Sequence, residues 1–179
     1  MSDPRRRGFL RRAGLLCAGA AVLGRAAGAQ AIAPRRLVLQ HLHTGEHLEL
    51  VYAEGDRYLP AALARVNRFL RDHYTGESRV MDPGLLDQLH AVQGALGSRG
   101  AFQIISGYRC LATNEALRRR SSGVAGNSLH TQGRAVDVRL TGVPLIELRD
   151  AALDMRAGGV GFYAASNFVH LDTGRVRRW

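Results

Sequence analysis

Asn127-Ser128-Leu129-His130-Thr131-Gln132-Gly133-Arg134-Ala135-Val136-Asp137 is a polar loop that runs into an alternating strand. Gly133 lies between its one histidine and its one aspartate, and glycine adopts the backbone conformations that let a chain turn back. A loop histidine can therefore converge on a carboxylate of the strand just begun. Downstream, residues 134–140 alternate as a strand and 145–156 have helical spacing. Two short strands, 160–163 and 167–172, follow the Gly158-Gly159 pair. Upstream, 101–106 is a short strand ended by Gly107, 112–120 a helix, and 121–128 an irregular Ser/Gly/Asn loop. Further back, apolar residues recur at helical spacing over 59–74, and Asp82-Pro83 supplies an N-cap and a first-turn proline for a helix over 83–96. Residues 36–52 read as a hairpin turned at Thr44-Gly45. A hairpin, two helices, then strands interleaved with helices predict an α+β fold: a small, mostly antiparallel sheet with helices packed on it.

The chain has 179 residues, 46% apolar and 22% charged, which suits one domain with a short appendage. Intrinsic disorder and a multidomain enzyme are excluded. A formal net charge of +10 would suggest nucleic acid, but its location argues otherwise. All 25 basic residues are arginine, and six of them lie in the first 25 positions beside one acid, Asp3. The other 19 arginines are dispersed among 14 acids with few aromatics between them, and no recognition-helix motif occurs, so no nucleic-acid partner is expected.

Pro4-Arg5-Arg6-Arg7-Gly8-Phe9-Leu10-Arg11-Arg12 leads into an apolar Ala/Gly-rich run to Gly24 and then Ala27-Gly28-Ala29. Basic, apolar and small-residue parts in that order make an export signal. Arg6-Arg7-Gly8-Phe9-Leu10 fits the twin-arginine pattern, with Arg5 where Ser or Thr is usual. The run is well short of the roughly 20 residues that span a bilayer, and Leu15-Leu16 before Cys17 makes a poor lipidation site. An uncleaved anchor is the alternative. The expected division is an export signal over 1–29 and a working domain over 30–179, with no stable membrane span after cleavage and a periplasmic location. That domain holds one cysteine, Cys110, and so no internal disulfide.

A structural or surface role is the ordinary one for His41, His43, His47, His73 and His90, the first three in the hairpin and the last two on predicted helices. His130 and His170 have different company. Period-two alternation puts Phe168, His170 and Asp172 on one strand face. Two imidazoles and the Asp137 carboxylate make a plausible zinc set with a fourth position for water, although His and Asp at such spacings also occur by chance. Arg109, after a strand and at Gly107, can bind a carboxylate bidentately or stabilise an oxyanion, or be one surface arginine among many. Cys110 reads as a buried, inert thiol rather than a nucleophile, with no evident place at a helix N-terminus. Ser128, His130 and Asp137 form a conceivable nucleophilic set, without the Gly-x-Ser-x-Gly turn that exposes such a serine.

Several of these segments are familiar together. Ser106-Gly107-Tyr108-Arg109, Ala112-Thr113-Asn114, Ser122-Gly123-Val124-Ala125, Asn127-Ser128-Leu129-His130 and Gly133-Arg134-Ala135-Val136-Asp137 resemble the YcbK-like (MepK-type) murein endopeptidases. So do Gly159-Val160-Gly161-Phe162-Tyr163, Phe168-Val169-His170-Leu171-Asp172-Thr173-Gly174-Arg175, the final Arg178-Trp179 and the His43-Thr44-Gly45-Glu46 turn. The similarity runs in order through almost all of 35–179. These proteins group with the zinc D-Ala-D-Ala peptidases, whose fold the Hedgehog signalling domain shares.

The resemblance implies Zn²⁺ held by His130, Asp137 and His170, with Arg109 engaging a substrate carboxylate or the tetrahedral intermediate. It implies metal-dependent hydrolysis of peptide cross-links in peptidoglycan, in the periplasm; a monomer is expected, though the sequence itself leaves the oligomeric state open. It leaves open whether the bond joins two diaminopimelates or D-Ala to diaminopimelate. One departure stands out. Other branches of this peptidase clan carry Glu, Asp or His two or three residues before the last ligand, where this chain has Phe168 and Asn167. Asp172 is the nearest carboxylate, either as the general base or as a group that orients a ligand; a base from elsewhere in the chain, His43 included, is the other reading. Two alternatives follow: a DD/LD-carboxypeptidase acting on muropeptides, and a non-catalytic zinc-containing module that binds peptidoglycan.

Overall fold

A computed structural model describes residues 33–121 and 123–179. The export signal expected over 1–29, and Ser122, lie outside the described residues. The N-terminal hairpin forms from β1 (Pro34–His41) and β2 (His47–Glu54), followed by β3 (Arg57–Tyr58), α1 (Pro60–Phe69) and α2 (Pro83–Ala95). After these come β4 (Phe102–Ser106), α3 (Leu111–Arg120), β5 (Ala135–Leu140), α4 (Leu145–Asp154), β6 (Gly159–Tyr163), β7 (Phe168–Asp172) and β8 (Arg177–Arg178). The eight strands make one sheet in the order β3-β2-β1-β4-β5-β7-β6-β8. Pairing is antiparallel except between β1 and β4 and between β6 and β8. The α+β, mostly antiparallel architecture is the one expected. β3 and β8 were not legible because two residues cannot show an alternation.

Alternation sorts the sheet into two faces. Leu37, Leu39, Phe102, Ile104, Val136, Val138, Leu140, Val169 and Leu171 are buried. With them pack Leu85, Leu86, Leu89 and Val92 of α2 and Leu148 and Ala152 of α4 in one core. Asp82 caps α2 as expected, its Oδ1 accepting from Gly84 N at 2.9 Å. The other face carries polar side chains in a row. Asp137 on β5 is paired with His170 on β7, which is paired in turn with Gly161 on β6.

Strand β4 joins this row through an irregularity. Ile104 pairs with Val138, but after a register shift Ser106, not Ile105, pairs with Asp137. The extra residue transfers Ser106 from the core face to the polar one, as a β-bulge does.

The helix expected over 59–74 ends early, at Phe69. Asp72 competes with the helix for backbone donors: its Oδ1 accepts from Tyr74 N at 2.9 Å and its Oδ2 from Cys110 N at 2.9 Å. The Leu70 carbonyl accepts from Tyr108 N at 2.8 Å. His73 is thereby moved off the helix into a turn.

His41 ends β1 fully buried, its Nδ1 accepting from the backbone N–H groups of His43 and Thr44 at 3.2 and 3.4 Å. Burial, then the nearby His73 and His43, push its pKa down to about 4. The unfolded chain, with an ordinary value near 6.5, binds the extra proton first, so stability falls as pH drops from about 6.5 toward 4. A difference of that size corresponds to about 3 kcal/mol. In the metal-free protein, urea unfolding is expected to show this loss. His41→Asn, which keeps an acceptor for the two N–H groups, should flatten it; an unchanged pH slope in that variant contradicts the assignment.

Candidate metal centre

Two side chains of the site come from the sheet and one from a turn. Asp137 and His170 face each other across β5 and β7. His130 lies in a 3₁₀ turn, Leu129–Gln132, whose N-terminus is capped by Ser128: its Oγ accepts from His130 N at 3.3 Å. Gly133 closes that turn at φ +70°, and a methyl group there would run into the Val80 carbonyl. Both the left-handed backbone and the close approach require glycine. All three side chains are buried.

Their donor atoms form a triangle. His130 Nε2 is 3.1 Å from His170 Nδ1 and 3.2 Å from Asp137 Oδ1, and His170 Nδ1 is 2.9 Å from Asp137 Oδ1. Three ligands on a zinc tetrahedron with bonds of ~2.0–2.1 Å lie ~3.3 Å apart, so the triangle is within a few tenths of an ångström of that size. The outward nitrogens settle the tautomers. His130 Nδ1 donates to the Gly107 carbonyl at 2.7 Å, and His170 Nε2 donates to Asp172 Oδ2 at 3.0 Å. Each neutral imidazole then turns a lone pair inward.

Three inward acceptors repel unless a cation or a proton sits among them, and this donor set fits a divalent metal. Among the described residues it is the one group of His, Cys, Asp or Glu whose ligand atoms converge in this way. Burial opposes charge on His170, but hydrogen bonds to Asp137 and Asp172 outweigh it and raise its pKa. Burial holds the pKa of His130 down. Asp137, buried as it is, stays far below the usual carboxylate range because His130, His170 and Arg109 surround it.

The predicted site residues outside the triangle differ in what they touch. Arg109 donates through Nε to Ser106 Oγ at 2.8 Å and through Nη2 to Asp137 Oδ2, the oxygen turned away from the triangle. No hydrogen-bond partner among the described residues meets its Nη1, and Arg109 is one of the residues that line the cleft. Asp172 has no exposed surface and no lone pair to spare. Oδ2 accepts from His170 and, at 2.7 Å, from Arg177; Oδ1 accepts from Gly159 N, Gly174 N and Arg177 Nη1 at 3.1, 2.8 and 3.0 Å. Of the two roles read for Asp172, general base is the one this arrangement does not suit. Orienting His170 suits it.

Cys110 is the buried thiol expected, with one difference of placement, and the serine reading is corrected. Cys110 does stand at the N-cap of α3, where its Sγ accepts from Thr113 N at 3.4 Å, but it is buried and is not part of the cleft wall. Ser128 spends its hydroxyl on capping, and neither ring nitrogen of His130 faces it, so no Ser-His-Asp relay exists.

Above the triangle opens a cleft of about 500 Å³. His43 and His73 stack on its wall at 4.2 Å and 4°, with Tyr74 against His73 at 4.2 Å. Tyr163 and Trp179 are among its other lining residues. Sequence reasoning missed His73, Arg177 and Trp179. The first was placed on a helix, Arg177 belongs to a strand too short to leave a pattern, and Trp179 follows that strand.

A family model described as "Peptidoglycan L,D-endopeptidase MepK" matches residues 29–179, which include the whole triangle and Arg109. The chain belongs to this family. It is 48% identical over 179 residues to the peptidoglycan L,D-endopeptidase MepK of Escherichia coli strain K12, covering 99% of this chain and 98% of that protein. A protein named probable peptidoglycan L,D-endopeptidase MepK in Haemophilus influenzae strain Rd is 43% identical over 147 residues, 82% of this chain and 79% of its own. MepK-family membership agrees with the resemblance carried by the motifs around His130 and His170. No helix among the described residues is long and apolar enough to cross a membrane.

Proposed function

We propose that the chain is a zinc-dependent endopeptidase that hydrolyses L,D peptide cross-links in peptidoglycan. The observation that carries this reading is the triangle of two lone-pair nitrogens and a carboxylate oxygen beneath an open cleft, in a chain of the MepK family. Of the two cross-links in question, the one between two diaminopimelates joins an L to a D centre, whereas D-Ala to diaminopimelate joins two D centres. The relatives are named for the former.

His130, Asp137 and His170 would hold the metal, which when bound supplies Lewis acidity for the scissile carbonyl and for water. The chain's own groups do the positioning. Gly107 and Asp172 fix the two imidazole tautomers from outside. Arg109 is fastened by Ser106 and Asp137, so its free Nη1 meets a substrate carboxylate or a developing oxyanion without reorganising first. The proton acceptor is a group other than Asp172, whose lone pairs are committed. Residues 1–29 direct twin-arginine export, and 30–179 act as a monomer in the periplasm.

The full chain incubated with purified sacculi should convert L,D-cross-linked dimers to monomers, read by mass analysis of the muropeptides. A chelator, and separately His170→Ala, should abolish that conversion. Full activity after either treatment contradicts the zinc reading. Loss of only a terminal D-Ala would indicate the carboxypeptidase, and binding with no new amine groups the non-catalytic module. For the leader, replacing Arg6 and Arg7 together by lysine should hold the chain in the cytoplasm by cell fractionation; undiminished export would contradict the assignment.

A further inference from the structure

We propose that Arg177 and Trp179 are positioning residues for the metal ligand His170, forming a clip in which the C-terminal segment pairs alongside β6 and lays these two side chains over its polar face. This inference rests on the zinc reading of the triangle. It starts from two glycines. Gly159 and Gly161 alternate on β6 and pair across the sheet with Asp172 and His170. They leave a trench beside those two side chains, and the Arg177 and Trp179 side chains fill it. A methyl on Gly161 would lie 2.7 Å from the Trp179 ring, and one on Gly159 would collide with the Arg177 guanidinium.

The backbone fixes the clip in place. Trp179 N donates to Val160 O at 3.3 Å and Phe162 N to Trp179 O at 3.0 Å, with Gly159 paired to Arg177. From there two side chains act on the ligand in different ways. Arg177 grips both Asp172 oxygens, Nη2 to Oδ2 at 2.7 Å and Nη1 to Oδ1 at 3.0 Å. Asp172 is thus held in plane to accept the hydrogen bond from His170 Nε2, which leaves the Nδ1 lone pair facing inward. Trp179 packs its ring on the imidazole, centroids 5.2 Å apart at 52°, while Arg177 lies over the indole at 4.8 Å. Trp179 Nε1 donates to Tyr163 Oη at 2.8 Å, fixing the ring orientation.

The chain's own chemistry supplies the probe, since Trp179 is the only tryptophan in the sequence. Zinc titrated into the metal-free full-length chain should change its tryptophan emission; the affinity of every variant, the tryptophan-free ones included, is read from the absorbance of a competing chromophoric chelator of known strength. Arg177→Gln is expected to weaken zinc binding about 10–100-fold, the usual effect of losing a partner behind a ligand. Arg177→Lys, which keeps the charge but not the fork, should recover part of it. Trp179→Phe, which keeps an aromatic face, should weaken binding less than Trp179→Ala, and exposed Arg178→Ala should leave it unchanged. Should Arg177→Gln fail to fold, the comparison of Trp179→Phe with Trp179→Ala carries the test. If the wild type binds no zinc at the triangle, the zinc reading itself fails. If it binds zinc while the Arg177 and Trp179 variants match it in affinity, or if emission ignores the metal, the clip is wrong and the zinc reading stands.

Discussion

Asp137 on β5 lies directly across from His170 on β7, and the rest of the site is arranged around that register. A strand has a side-chain period of two, so a slip by one residue would send His170 into the apolar core and bring Val169 or Leu171 to the polar face. The buried side chains of Val136, Val138, Val169 and Leu171 set the cost of that slip. Packing against α2 and α4 therefore fixes the position of two of the three donors before any metal is involved. His130 is added by a turn whose geometry depends on Gly133 and on the Ser128 cap.

With that register given, the electrostatics are layered. Two carboxylates and two imidazoles are buried together, and each carboxylate is backed by an arginine on its outer side, Arg109 behind Asp137 and Arg177 behind Asp172. Buried charges are tolerated when paired and hydrogen-bonded, and here the pairing also points lone pairs inward. The two arginines differ in what remains free. Arg177 has both ends of its fork on Asp172, whereas Arg109 keeps one nitrogen for the cleft. One backs the structure of the site, and the other is the arginine proposed to meet the substrate.

Much of this was legible in the sequence because it rests on short-range periodicity. Alternation over 134–140 and 167–172 placed Asp137 and His170 on strand faces, and Gly133 announced the turn that brings His130 back. What was not legible depends on contacts distant in sequence. The bulge that turns Ser106 toward Arg109 shows only in the pairing of β4 with β5. The early end of α1 depends on Asp72 meeting Cys110, 38 residues away, and that contact moves His73 to the cleft. The role of Asp172 is a nearer case: Gly174 and Arg177 are only two and five residues away, but they saturate it through a turn that leaves no periodicity to read. The +10 charge is the converse case: composition alone suggested nucleic acid, and position along the chain redirected it toward the cell envelope.

The central claim is that His130, Asp137 and His170 together hold one zinc ion. X-ray absorption at the zinc edge of the loaded full-length chain tests it most directly. The expected first shell holds two imidazole nitrogens and light oxygen donors at ~2.0–2.2 Å, one zinc per chain, and loses an imidazole in His130→Ala. A shell containing sulfur at ~2.3 Å, or a spectrum unchanged by His130→Ala, would contradict it.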